Sequence, residues 1–228
     1  PPTAHKTALY TSLLLSPPSQ ITLPAPSSIH TICYTSGTTS LPKGVILTQS
    51  NLTFTLLSIL PRPKIHLGPG ATHLSYLPIQ HVFELLLVSG FLATGGRVAF
   101  ARYHPDMKVQ ATYLPQDMRA SYMTVWVAVP RVLEKVASGL RSKIESGSGV
   151  KGALARAALR ANGSTAFGFV YRGIRSALGL TRCTHVVSGS APLASRTRGF
   201  LERALPGVKF LEGYGLTETT GGVTLTEP

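Results

Sequence analysis

Short apolar runs alternate with longer amphipathic ones along most of this chain. "TICYT", residues 31–35, is β-branched and aromatic and is ended by Ser36-Gly37, which predicts a buried strand. "GVILT", 44–48, predicts a second. Ser50 is placed to cap a helix carrying Leu52, Leu56, Leu57 and Leu60 on one side. "PRPKIHLGPG" reads as a loop, and "THLSYLP" as a strand that Pro78 stops. Residues 81–94 read as a buried helix stopped by Gly95-Gly96. "RVAFA" and "SYMTVWVAV" are strands, and Pro130 opens a helix over 131–146. There Val132, Val136, Leu140 and Ile144 recur at i+4 spacing, with basic residues outside that row. Residues 147–165, rich in Gly, Ala and Ser, read as a weak helix or a surface excursion. "FVYRGIRSAL" is helical, and "THVVSGSAP" is a strand entering a tight turn. "SRTRGFLERAL" is a helix capped by Ser195, and "VKFLEGYG" a strand entering a glycine turn.

This alternation predicts an α/β fold with largely parallel sheets and flanking helices. Residues 1–30 are Pro/Ser-rich and read as an irregular lead-in, which leaves 31–228 as the folded part. In open α/β sheets ligands gather beyond the carboxyl ends of strands. Four segments leave strands there with unusual chemistry: "YTSGTTSLPKG", "YLPIQHVFE", "VVSGSAPL" and "FLEGYGLTET".

The first has the makings of an anion nest. Gly37 and Gly44 admit close backbone approach, Ser36, Thr38, Thr39 and Ser40 add hydroxyls, and Lys43 adds a charge. It is not the Walker loop, because Pro42 precedes Lys43, Gly44 follows it, and a strand comes next. In the last segment Gly213 and Gly215 expose backbone beside Tyr214, whose ring could stack on a base. Thr217 and Glu218 pair a hydroxyl with a carboxylate, which suits Mg²⁺ held mainly by substrate phosphates. The turn at Gly189, Ser190, Ala191 and Pro192 could hold a flat ring, and His81 stands at a strand-to-helix junction.

Composition adds a bias in partners. The net charge is +13 over 228 residues, and residues 97–209, with 18 Lys/Arg against 5 acids, account for all of it. Anionic partners follow: phosphates or an acidic membrane surface, with nucleic acid disfavoured for want of a recognition motif. Cys33 and Cys183 read as buried thiols of a reducing compartment rather than a disulfide or a zinc site. The best apolar run contains Glu84 and is too short to span a bilayer.

Together these segments resemble the adenylate-forming (AMP-binding) superfamily. Its phosphate loop, Y-T-S-G-T-T-G-x-P-K-G, matches residues 34–44 except at Ser40, and its Y-G-x-T-E signature matches Tyr214 to Glu218. Gln49 stands where the superfamily usually has histidine. "YLPIQHVFE", "VAVPRVLEKV", "VVSGSAPL" and "LEGYGLTETT" look most like long-chain fatty-acyl-CoA synthetases. The resemblance runs from about residue 28 to 228 and is loosest across 102–122 and 147–168. It implies ATP, Mg²⁺ and CoA as reactants and cofactor, and a fatty acid as the acid activated. Thr35, Ser36, Gly37, Thr38, Thr39, Ser40, Lys43 and Gly44 would grip phosphates, and Thr35 and Glu218 would hold Mg²⁺. Thr217 would contact the α-phosphate, with Lys43, Thr217 and Glu218 the catalytic set. Gly189 to Pro192 and Gly213 to Gly215 would cradle adenine, and His81 and Trp126 would line the acyl side. The family's ribose aspartate and lysine-bearing C-terminal domain would lie beyond Pro228, so the resemblance implies an incomplete large domain and an impaired isolated chain. An intracellular setting at the cytoplasmic face of the endoplasmic reticulum or another membrane follows from the same likeness. Alternatives are another acid–CoA ligase or adenylation domain, and a non-catalytic nucleotide-binding relic with an RNA- or lipid-binding surface.

Overall fold

A computed structural model of the chain describes residues 22–35, 41–59 and 65–226. The expected lead-in through residue 21, Ser36, Gly37, Thr38, Thr39, Ser40 and Leu60 lie outside the described residues.

The chain opens with an antiparallel hairpin, β1 (Ile29–Thr35) and β2 (Lys43–Thr48), followed by helix α1 (Gln49–Ile59). Six further strands form one sheet: β3 (Thr72–Ser75), β4 (Arg97–Phe100), β5 (Val125–Ala128), β6 (His185–Ser188), β7 (Lys209–Leu216) and β8 (Gly221–Leu225). Their order is β4-β3-β5-β6-β7-β8, and every pairing is parallel except β7 with β8. Helices α2 (Val82–Ala93), α3 (Met107–Ser121), α4 (Pro130–Ser146), α5 (Gly149–Arg160), α6 (Gly168–Leu178) and α7 (Ser195–Ala204) flank it.

Strands β3, β5 and β6 are buried along their whole length, as a parallel sheet covered on both faces requires. On one face Phe91 of α2 packs with Ala71, Val125, Val127, Val187 and Leu211. On the other, Trp126, Val186 and Phe210 meet Leu133 and Ile144 of α4, Ile174 of α6 and Phe200 of α7. The β1–β2 hairpin joins the first face through Cys33 and Leu47, which pack with Leu52, Val82 and Leu86. Strand order reverses around β3: β4 lies on one side and β5, β6 and β7 follow on the other. In open α/β sheets ligands bind outside the carboxyl ends of the strands, at such a reversal.

Several local expectations are corrected. Helix α3 was not foreseen; Asp106 caps it by accepting from the Lys108 N–H at 2.7 Å, and Pro115 lies inside it. Thr48, not Ser50, caps α1: its hydroxyl accepts from the Asn51 N–H while the Asn51 side chain accepts from the Thr48 N–H. Leu57 is exposed, and Thr55 takes the buried place beside Leu52. Ser195 is the first residue of α7 rather than its cap. β7 does not stop at a glycine turn but runs through Gly213, Tyr214 and Gly215 to Leu216.

Candidate nucleotide and acyl site

The site is built where the hairpin, the carboxyl ends of β6 and β7, and the start of α2 converge. In the hairpin Thr35 pairs with Lys43 and Tyr34 with Gly44, so Thr35 and Lys43 close the loop between the strands. The loop residues Ser36 to Ser40 are those outside the described set. β2 lies against the single 3₁₀ turn Thr217–Thr219 that follows β7. The strand that begins at Lys43 and Gly44 and the turn that bears Thr217 and Glu218, far apart in sequence, are therefore neighbouring elements. Lys43 and Glu218 are both exposed, so each is free to meet a ligand.

Thr219 fixes that turn. Its Oγ1 accepts the Leu216 N–H and donates to the Leu216 carbonyl, each at 3.0 Å. Behind it Thr220 adopts a left-handed conformation, φ 58°, and the chain reverses into β8.

The second wall is the turn after β6. Ser190 has φ 72°, which bends the backbone sharply at the position where a flat-ring cradle was expected. Ser190, Ala191 and Pro192 are exposed, whereas Gly189 is buried against the Phe83 ring at the start of α2. β6 and β7 are parallel neighbours, with Ser188 paired to Glu212, so Gly189 and Gly213 stand side by side. Tyr214, on β7, is 62% exposed.

Glu212 ties this wall together. One carboxylate oxygen accepts from the Arg198 guanidinium at 3.0 Å, and the other from the Leu193 N–H at 3.3 Å. Arg198 also donates to Glu202 at 2.9 Å and to the Phe210 carbonyl at 3.2 Å. Hydrogen bonds to Glu202 and then Glu212 hold its pKa above the ordinary arginine value, against partial burial.

An apolar cavity of ≈ 130 Å³ lies on the α2 face of the sheet. Phe83, Leu87, Val125, Val187, Gly213 and Leu225 line it. Because Gly213 belongs to both, the cavity adjoins the candidate adenine wall. His81 sits exposed at the N-terminal boundary of α2, and its side chain makes no capping bond. Trp126 is fully buried on the opposite face of the sheet from the cavity, so the structure does not bring these two acyl-side candidates together. Sequence reasoning did not single out Phe83, Thr219, Glu212 or Arg198; only Glu212 carried a mark, as one of 9 acids in a basic chain.

Thr35 and Glu218 supply one hydroxyl and one carboxylate, a hard-oxygen set compatible with a magnesium ion that takes its other ligands from phosphates and water. No group of three or more His, Cys, Asp or Glu side chains gathers among the described residues.

The fold is that of a mixed α/β domain with a mostly parallel central sheet. Comparison with known proteins specifies which: the chain belongs to the AMP-binding enzyme family, whose model matches residues 3–228. It is 33% identical to rat long-chain-fatty-acid–CoA ligase 6 over 216 residues, covering 90% of this chain and 30% of that protein. It is also 33% identical to long chain acyl-CoA synthetase 3 of Arabidopsis thaliana, covering 89% of this chain and 32% of that protein. The chain thus spans about a third of the length of the curated relatives it matches. Among solved structures it superposes on the A-PCP didomain of carboxylic acid reductase from Segniliparus rugosus in complex with AMP. That match has TM-score 0.66 and 24% identity, and covers 91% of this chain and 26% of the other.

Proposed function

We propose that this chain forms the ATP- and acyl-binding part of a long-chain fatty acid–CoA ligase of the AMP-forming type. The observation that carries the proposal is the packing of β2, which bears Lys43 and Gly44, against the turn that bears Thr217 and Glu218. In this reading a fatty carboxylate oxygen attacks the α-phosphorus of ATP and the bond to the β-phosphate breaks, releasing pyrophosphate. The CoA thiol then attacks the acyl carbonyl, and AMP leaves.

The loop from Thr35 through Ser36, Gly37, Thr38, Thr39 and Ser40 to Lys43 and Gly44 would bind the departing phosphates. Lys43 and Thr217 would offset charge that grows there in the transition state. Thr35 and Glu218 would hold Mg²⁺, which when bound supplies further neutralisation. Gly189 to Pro192 and Gly213 to Gly215 would flank adenine, with Tyr214 stacked on it. The acyl chain would occupy the cavity under Phe83 and Leu87, with His81 near its mouth. Trp126 would act only through packing. An intracellular setting at an anionic membrane surface belongs to the same proposal.

Titration of the chain with Mg·ATP by calorimetry tests it. Lys43→Ala and Glu218→Ala should each weaken binding about tenfold, the worth of one charged contact. Unchanged affinity in both variants would sink the assignment.

A further inference from the structure

We infer that Glu212 is a positioning residue for the adenine wall, acting with Arg198 as a clamp. The inference rests on the reading of Gly189–Pro192 and Gly213–Gly215 as that wall. The two halves of the wall come from different strands. The turn after β6 has no regular hydrogen-bond ladder of its own at Ser190 to Pro192, and Ser190 holds a left-handed backbone that most side chains disfavour. Something outside the turn must set its distance from β7.

Glu212 is placed to do so. It lies on β7 directly before Gly213, and its carboxylate reaches across to the Leu193 N–H, the first amide after the turn. Its other oxygen accepts from Arg198, on the first turns of α7. Arg198 spends its remaining nitrogens on the Phe210 carbonyl of β7 and on Glu202 of its own helix. Beyond the last backbone pair, Ser188 with Glu212, the unit β6–turn–α7–β7 is closed by the Glu212 and Arg198 side chains. The backbone of Glu212 is held as well: its N–H donates to Thr226 Oγ1 at 2.8 Å, and its carbonyl accepts the Thr226 N–H at 2.8 Å. The carboxylate is thus anchored to a fixed strand, while the segment it holds is a turn. A charge-assisted bond to a backbone N–H is of the kind that loses most when its partner is removed.

The clamp makes a prediction that a general structural role does not. Adenine recognition should depend on it, and phosphate recognition should not. The experiment measures dissociation constants for ATP, AMP and inorganic tripolyphosphate, with Mg²⁺, on the wild-type chain and on Glu212→Ala, Glu212→Gln and Arg198→Met, alongside thermal melts. Glu212→Ala and Arg198→Met should weaken ATP and AMP about tenfold and leave tripolyphosphate within about twofold. Glu212→Gln keeps an acceptor for the Leu193 N–H and should recover most of the loss. If Glu212→Ala weakens all three ligands alike, or none of them, the clamp is overturned. Should Glu212→Ala fail to fold, Arg198→Met decides by the same ratio, with Glu212→Gln expected near wild type for all three ligands. A wild-type chain that does not distinguish ATP from tripolyphosphate would instead overturn the adenine-wall reading itself, and the clamp with it.

Discussion

Gly215 has no room for a side chain. A Cβ built on it would overlap the Gly221 carbonyl oxygen, and both residues belong to the β7–β8 hairpin that carries the Thr217–Glu218 turn. Gly221 is constrained from the other side, with φ 93° and Leu86 of α2 close by. Gly215→Ala should therefore cost ~1–3 kcal/mol, read as a lower urea midpoint, because the hairpin must open to admit the methyl group. A midpoint equal to that of the wild type would show that the two strands are farther apart than described. Cys183 offers a test of burial on the other face. Burial pushes its thiol up from 9.0 to about 12, and the Trp126 and His185 backbones and Arg175 only partly oppose this. A folded pKa above the unfolded one means that the proton favours the folded state. That contribution is complete below pH 9 and is lost as pH rises toward 12. The stability advantage of the wild type over Cys183→Ala should shrink when urea melts are moved from pH 8 to pH 10.5. A gap independent of pH would contradict a buried neutral thiol.

Elements were legible where one interaction range decided them. α4 was foreseen because its apolar period and Pro130 are local signals, yet its buried row is Leu133, Ala137, Leu140 and Ile144, with Val132 and Val136 only on its shoulder. Burial depends on which side the sheet approaches, and spacing alone does not say. Leu133→Ala should accordingly cost ~2–5 kcal/mol, and Val132→Ala well under half as much, in the same denaturant titration. Equal losses would restore the row drawn from spacing. Helix α3 escaped notice because Pro115 and a weak apolar pattern hide it; among its residues whose burial is described, Met118 alone is deeply buried. The extension of β7 through two glycines was invisible because β8, which stabilises it, lies beyond the turn. The site divides in the same way. Its glycine and hydroxyl motifs could be read from spacing, but the Glu212–Arg198 link joins residues 14 positions apart on different elements. The cavity beside Gly213 needs α1, α2, the sheet and β8 together.

At the scale of the molecule, the charge excess acquires a direction. α4, α5, α6 and α7 pack together on the face of the sheet opposite the cavity. Arg131, Lys135, Lys143, Lys151, Arg160 and Arg172 are exposed on them, as are Val150 of α5 and Phe169 of α6. Ion pairs to carboxylates among the described residues engage Arg102 and Arg198 and leave this helical layer largely uncompensated. No helix among the described residues is long and apolar enough to cross a membrane. Each basic side chain near an anionic bilayer contributes about 1 kcal/mol, and the attraction fades beyond a Debye length. The chain should then sediment with phosphatidylcholine vesicles only when they contain phosphatidylserine, and added salt should release it. Arg131 and Lys135 lie one turn apart on α4, so Arg131→Glu with Lys135→Glu should lower that affinity at least about tenfold while leaving Mg·ATP binding unchanged. Equal sedimentation with neutral vesicles would remove the electrostatic basis of the membrane reading. Displacement by RNA at the same salt concentration, without preference for anionic lipid, would assign the basic layer to nucleic acid instead.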